Sequence, residues 1–339
     1  MNFIIINYLI SFITIIAFIF ISKYFHLYDL PNSRKIHTKK IPVIGGLSIF
    51  FIILLSTFFF EYDSFFVKSL IISSILIVIG FLDDVFFIKF YIRLLFQFIT
   101  IILVIYFGIY IKELVFFNFI SNPVLLDNIL LIFTFFCLLT LINSLNFIDG
   151  IDGLSSGIIL LIIIFIFLSA YLINIQLELL QFGIIFISLS VFLFFNLSFF
   201  KLPKIFLGDA GTYFLGFFIG CLLIIYSQDP YNYIQKSYVP WLVAIPIYDF
   251  LSVSLIRITN KKSPFYPDNN HLHHILLKYK INERHVLILI LMIQIFMNLY
   301  GLVVSFYTSF YFSILNYIIF FGFYLILIYI LRNRNKNYT

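Results

Sequence analysis

The chain has 339 residues, 63% of them hydrophobic and 11% charged, with a mean hydropathy of +1.12. A water-soluble globular domain is only about half apolar, so these proportions exclude one and require a polytopic membrane protein. The formal net charge of +6 is distributed in a way that speaks against nucleic acid, and the two cysteines, Cys137 and Cys221, lie in separate apolar runs, against a disulfide framework or a cysteine metal site.

Apolar runs near residues 3–22, 44–60, 67–82, 92–107, 124–145, 157–174, 179–197, 212–226, 237–256, 286–307 and 314–331 predict about eleven transmembrane helices in a single domain over 1–339. The first run lacks a basic leader and a small-residue cleavage site, so it reads as a retained span. If the connections alternate sides with the amino terminus outside, one side receives 18 of the 21 Lys and Arg, leaving only Lys68, Lys112 and Lys236 opposite. The positive-inside rule makes that rich side cytoplasmic, and the carboxy terminus falls there too. Trp241, Tyr231, Tyr233 and Tyr238 gather around an outer connection, where an aromatic belt is expected.

Polar clusters then appear in chain order. The first loop, about 23–43, carries Arg34-Lys-Ile-His37 and Lys39-Lys40 before Pro42 and Gly45-Gly46. Two glycines at the mouth of a membrane helix are unfavourable unless something packs closely or binds there, such as a phosphate against backbone amides. The third run ends in Gly80-Phe-Leu-Asp83-Asp84, followed by Lys89 and Arg93. Adjacent carboxylates repel unless a cation sits between or beside them, and oxygen-only ligands of this kind suit Mg²⁺.

The central stretch is Asn143-Ser-Leu-Asn146-Phe-Ile-Asp149-Gly150-Ile-Asp152-Gly153-Leu154, set inside continuous hydrocarbon. Insertion of one charged side chain at bilayer depth costs about 2.5–3.5 kcal/mol, so paired carboxylates there read as a functional site. Asn143 and Asn146 share a helix face, and the glycines predict that the helix stops near Asn146, followed by a broken segment presenting Asp149 and Asp152 at a membrane face. Further on, Lys201-Leu-Pro-Lys204 leads into Gly208-Asp209-Ala-Gly211-Thr212. Asp209 reads either as an N-cap or as a further hard-oxygen ligand. The longest hydrophilic connection, 257–285, holds Asp268-Asn-Asn-His271-Leu-His273-His274, which fits contact with a diphosphate or acid–base work better than zinc.

All five clusters emerge on the predicted cytoplasmic side, from loops about 23–43, 83–92, 146–156, 198–211 and 257–285. One composite site follows, with Asp and Asn side chains for a hard metal, Lys, Arg and His for phosphates, and a wall of helices open to lipid. Its equipment suits phosphoryl transfer between a water-soluble anion and an acceptor that lives in the bilayer. An ion-coupled transporter is the rival from another class, but it predicts mid-bilayer carboxylates and an internal repeat. A CDP-alcohol phosphotransferase would need a clustered Asp-Gly-x-x-Ala-Arg pattern that the chain lacks.

Arg34-Lys-Ile-His37 with Pro42-x-x-Gly45-Gly46, Gly80-x-x-Asp83-Asp84, Asn143-x-x-Asn146-x-x-Asp149-Gly-Ile-Asp152-Gly-Leu, Gly208-Asp209-x-Gly211 and His271-x-His273-His274 together resemble the signatures of the polyprenyl-phosphate N-acetylhexosamine-1-phosphate transferases. The resemblance implies an all-α, multi-pass enzyme of the inner (cytoplasmic) membrane with its active site facing the cytoplasm. It implies Mg²⁺ dependence, with Mn²⁺ as a substitute, and transfer of a sugar 1-phosphate from a UDP-N-acetylhexosamine to undecaprenyl phosphate with release of UMP. Such a step initiates cell-surface polysaccharide assembly, and a homodimer is compatible with it. Carried over by position, Asn146 and Asp209 look like metal ligands and Asp83 and Asp84 like the catalytic pair. Asp152 would contact uracil, with Asp149 nearby and Asn143 beside them, while His271, His273 and His274 hold the diphosphate or sugar and Lys39 with Arg93 the phosphates. The His-x-His-His form is similar to the N-acetylglucosamine enzymes; the related peptidoglycan phospho-MurNAc-pentapeptide transferase, the alternative within the family, usually shows three consecutive histidines.

Overall fold

The computed structural model describes residues 2–29, 40–173, 179–261, 263 and 270–336. Its helices are α1 (Asn2–Tyr24), α2 (Gly45–Ser56), α3 (Ser64–Phe86), α4 (Phe90–Tyr106), α5 (Pro123–Ile148), α6 (Leu154–Leu172), α7 (Leu179–Asn196), α8 (Gly208–Ser227), α9 (Val239–Leu242), α10 (Ala244–Thr259), α11 (Leu272–Lys278), α12 (Glu283–Tyr307) and α13 (Phe310–Lys336). Among the described residues the only sheet is an antiparallel pair of two-residue strands, β1 (Tyr28–Asp29) and β2 (Ile41–Pro42). Seven helices, α1, α3, α5, α6, α8, α12 and α13, are long and apolar enough to cross a membrane, and the chain is an all-α polytopic membrane protein.

Ten of the eleven predicted runs coincide with one helix each, and two differ from expectation in form. The run 44–60 is helical for only twelve residues, 45–56. At 1.5 Å per residue that is about 18 Å, well short of a hydrocarbon core about 30 Å thick. The run 237–256 is broken into α9 and α10 at Val243. Pro246 is the cause: it lacks an N–H and crowds the carbonyl four residues back, that of Leu242.

The chain divides into two compact units, each drawn from two stretches of sequence. The first comprises residues 1–110 and 176–222, that is α1 to α4, α7 and most of α8. Here α1 and α2 pack on each other and on α7, and α3 packs on α4. Phe66 of α3 and Phe50 of α2 set their rings edge-on against Phe218 and Phe214 of α8, with centroids 5.1 and 5.4 Å apart. The second unit comprises residues 111–175 and 223–339, with α10 against α5 and α12 against α6, α9, α10, α11 and α13.

Breaking a helix among apolar side chains strands backbone groups that lipid cannot hydrogen-bond, so the protein must supply their partners. Gln294 of α12, fully buried, does so for the α9–α10 break. Its Oε1 accepts from the Ile245 N–H at 3.1 Å, while its Nε2 donates to the carbonyls of Leu242 and Trp241 at 3.0 and 3.3 Å. Trp241 fits because Gly301 has no side chain; a Cβ there would overlap the indole. Replacing Gln294 by Leu takes this partner from the Leu242 carbonyl and the Ile245 N–H, at about 1–3 kcal/mol for each buried group left unpaired. Gln294→Leu is therefore expected to lower the thermal midpoint in detergent clearly below wild type, whereas an unchanged midpoint would show that the break is satisfied otherwise.

Candidate functional site

In the first unit the site is built around the start of α8. Gly80 of α3 lies where a Cβ would fall 2.5 Å from the Ala210 Cα, so α3 closes directly onto the α8 amino terminus. One helical turn beyond Gly80, on the same face, Asp84 accepts hydrogen bonds from the N–H groups of Asp209 and Ala210 at 2.8 and 3.2 Å. These amides have no partner inside α8, and a carboxylate there also meets the positive end of the helix dipole. Gly208 makes the turn into the helix with φ of +76°. From the other side, the N–H groups of Gly45 and Gly46 donate to the carbonyls of Phe206 and Leu207, both at 2.8 Å. A side chain on Gly46 would overlap the Gly211 backbone. Of the two readings of Gly45-Gly46, close packing is the one realised: their amides hold the segment that carries Asp209 and are not available to a phosphate.

Asp83 points elsewhere, because consecutive helical residues are turned about 100° apart. Its Oδ1 accepts from the Ile88 N–H at 2.8 Å, and its Oδ2 accepts from Arg93 Nη1 at 2.6 Å and from the Tyr213 hydroxyl at 3.4 Å. The same Arg93 nitrogen donates to the Tyr213 oxygen at 3.1 Å, and Arg93 Nε is buried without a hydrogen-bond partner. The cation required by the adjacent carboxylates thus sits beside Asp83, and Asp84 is stabilised by amides instead. Tyr213, one turn after Asp209 on α8, was not singled out from sequence; its phenol on an apolar helix near Asp209 is the signal that marks it.

In the second unit α5 ends at Ile148, two residues beyond the predicted stop at Asn146, and a non-helical segment runs to Gly153, whose φ is +77°. Asn143 is buried and donates to the Leu139 carbonyl at 2.8 Å, while Asn146, Asp149 and Asp152 are half-buried. The close approach predicted for Gly150 is realised by His273, whose Nε2 would overlap any Cβ placed there. His271 stands at the residue before the short helix α11, and its ring lies nearly parallel to that of His273 with centroids 6.1 Å apart. His274 follows with its ring centroid 4.1 Å from that of His273. Both ring nitrogens of His273 are buried without a hydrogen-bond partner. Burial, reinforced by the neighbouring His274, lowers its pKa to about 3, so it is neutral at physiological pH.

Three residues of this cluster were missed. Asp249 of α10 accepts from His271 Nδ1 at 2.7 Å, Arg257 Nη2 lies 3.4 Å from His271 Nε2, and Tyr324 of α13 donates to Asp249 at 3.0 Å. Asp249 was legible as a carboxylate inside the run 237–256, whereas Arg257 entered only as a topogenic charge. Lys39, with Arg34, Lys35, His37 and Asp268, lies outside the described residues. Among the described residues no group of three or more His, Cys, Asp or Glu side chains is arranged to hold a metal ion. Mg²⁺ does not require one, since it binds through one or two carboxylates and completes its shell with water and phosphate oxygens. A half-buried Asp209 at the head of α8 fits that demand.

Residues 66–227 match the family model described as glycosyl transferase family 4. The chain is similar to the undecaprenyl-phosphate alpha-N-acetylglucosaminyl 1-phosphate transferase of Haemophilus influenzae, with 33% identity over 84% of this chain and 81% of that protein. It is also similar to the proteins of the same name from Thermotoga maritima, at 28% over 90% of each chain, and from Escherichia coli K12, at 28% over 80% of this chain and 74% of that one.

Removing the Asp84 side chain deletes two hydrogen bonds to the α8 amides, worth about 0.5–1.5 kcal/mol each. Asp84→Ala is expected to speed amide hydrogen exchange across 208–212, and unaltered exchange there would dismiss the anchoring role. The lowered pKa of His273 carries a second expectation. Between its folded value of about 3 and the unfolded value near 6.5 the unfolded chain binds the extra proton. Its contribution is therefore complete above pH 6.5 and is lost as pH falls below that. Removing this imidazole with His273→Gln should flatten the decline of stability between pH 6.5 and 5; an identical decline would place the acid sensitivity elsewhere.

Proposed function

The chain belongs to glycosyl transferase family 4, and from that membership we propose that it transfers N-acetylglucosamine 1-phosphate from UDP-N-acetylglucosamine to undecaprenyl phosphate, releasing UMP. The observation that carries the proposal is the 33% identity to a transferase of that name over more than four fifths of both chains. The His-x-His-His form supports the sugar, and the 18-to-3 partition of Lys and Arg supports a reaction at the cytoplasmic face of the inner membrane, with the amino terminus outside.

In this reaction an oxygen of the lipid phosphate forms a bond to the β-phosphorus of the sugar nucleotide. The bond from that phosphorus to the bridging oxygen breaks, and the electron pair leaves with UMP. Little covalent work falls to the protein; positioning and charge neutralisation dominate. Asp83 and Asp84 are the pair proposed to keep the attacking phosphate deprotonated; both oxygens of each accept hydrogen bonds from the protein. Arg93, with one edge on Asp83 and its Nε buried without a partner, is suited to hold a phosphate, together with Lys39. The unpartnered ring nitrogens of His273 support a role for His271, His273 and His274 toward the diphosphate or sugar. Asp152, with Asp149 and Asn143 on the same broken segment and helix end, is the group proposed for uracil. Asp209 and Asn146 are the oxygen donors proposed for Mg²⁺, or Mn²⁺ in its place. That ion, when bound, would neutralise diphosphate charge and stabilise the leaving UMP.

Membranes containing the protein, incubated with undecaprenyl phosphate, Mg²⁺ and a panel of radiolabelled UDP-sugars, should move label into the organic phase from UDP-N-acetylglucosamine. Chelation should abolish the transfer and added Mg²⁺ restore it. Asp83→Asn and Asp209→Asn should each lose on the order of 10²-fold or more of the turnover while the protein still accumulates in the membrane. Near-normal turnover in both variants refutes the assignment.

A further inference from the structure

Asp249 is a carboxylate that the family signatures above do not account for. It lies on α10 with 1% of its surface exposed, where an uncompensated charge would be strongly unfavourable. Three donors meet it: His271 through Nδ1 at 2.7 Å on Oδ2, and on Oδ1 the Leu272 N–H at 2.8 Å and the Tyr324 hydroxyl at 3.0 Å. The carboxylate thus ties α10 to the head of α11 and to α13.

The bond to His271 has a chemical consequence. A carboxylate accepts only, so Nδ1 of His271 must carry hydrogen, and in the neutral ring Nε2 is then the acceptor. Facing Nε2 at 3.4 Å is Nη2 of Arg257, a guanidinium that is 2% exposed. The opposite tautomer would set an N–H against that donor. Phe147, immediately after Asn146, walls the pair, with its ring centroid 5.5 Å from that of His271 and 5.6 Å from the Arg257 guanidinium. We propose that Asp249 is a positioning residue, which fixes the tautomer and orientation of His271 and through it orients the Arg257 guanidinium toward the phosphate chemistry of the reaction. The arrangement has the logic of an outer carboxylate that locks a functional imidazole. The proposal rests on the transferase reading for its activity arm and on the tautomer alone for the other.

The test has both arms. In the full-length protein labelled with ¹⁵N-histidine and held at pH 8, the His271 resonances, assigned by their loss in His271→Gln, should report hydrogen on Nδ1. A His271 with hydrogen on Nε2 overturns the proposal, and this measurement needs no Asp249 variant to fold. In the label-transfer assay Asp249→Asn should lower kcat by roughly 10–100-fold, the scale of losing such an outer partner, with Asp249→Glu recovering activity because it restores a carboxylate. Combined with His271→Gln, Asp249→Asn should cost less than about twofold further, since the two residues act as one unit. Independent, multiplying losses, or no recovery with Glu, overturn the proposal. If the wild-type protein transfers label from no UDP-sugar, the transferase reading fails while the tautomer result still decides the role of Asp249.

Discussion

A polar group buried among hydrocarbon side chains must find its partners within the protein, because lipid offers none. Most of the notable features of this molecule are responses to that constraint. The broken α9–α10 passage is tolerated because one amide side chain, Gln294, answers three backbone groups. Asp84 and Asp249 are tolerated because each is met by two or three donors at hydrogen-bond distance. A carboxylate in such a place is held tightly, and whatever it holds in turn is held tightly as well.

That rigidity is what the proposed transfer would use. The Asp84 carboxyl group fixes the head of α8 and so the position of Asp209, while the Gly45-Gly46 amides hold the segment leading into it from the opposite side. Glycine is required at 46, 80 and 211 for one reason: α2, α3 and the start of α8 approach to backbone contact, leaving no room for a Cβ. In the second unit His273 occupies the space left by Gly150, and its ring nitrogens have no partner of their own. Phosphoryl transfer gains most from this kind of preorganisation, because fixed dipoles and charges need not reorganise as the phosphorus changes partners.

The two adjacent carboxylates also show how position along a helix divides labour. Asp83 and Asp84 have the same chemistry and nearly the same depth, yet one faces a guanidinium and a phenol on α4 and α8 and the other faces two amides. Their difference comes from the turn of about 100° per residue. No property of the dipeptide itself distinguishes them.

The amino-acid sequence by itself determined the membrane setting, the all-α class, the places of ten of the eleven apolar helices, and the polar residues around which both clusters are built. Those properties follow from composition and period, which are local. It also foretold the end of α5 to within two residues, because Gly150 and Gly153, three residues apart beside Asp149 and Asp152, disfavour a continued helix. Only the tertiary structure decided the rest: that Gly45-Gly46 pack rather than offer their amides, that Asp84 caps α8, that Asp249 and Arg257 flank His271, and that the ninth apolar run is two helices stitched by a residue about fifty positions away. Each of these depends on which donor meets which acceptor across packed helices, and pairings between remote segments leave no periodic trace in the chain.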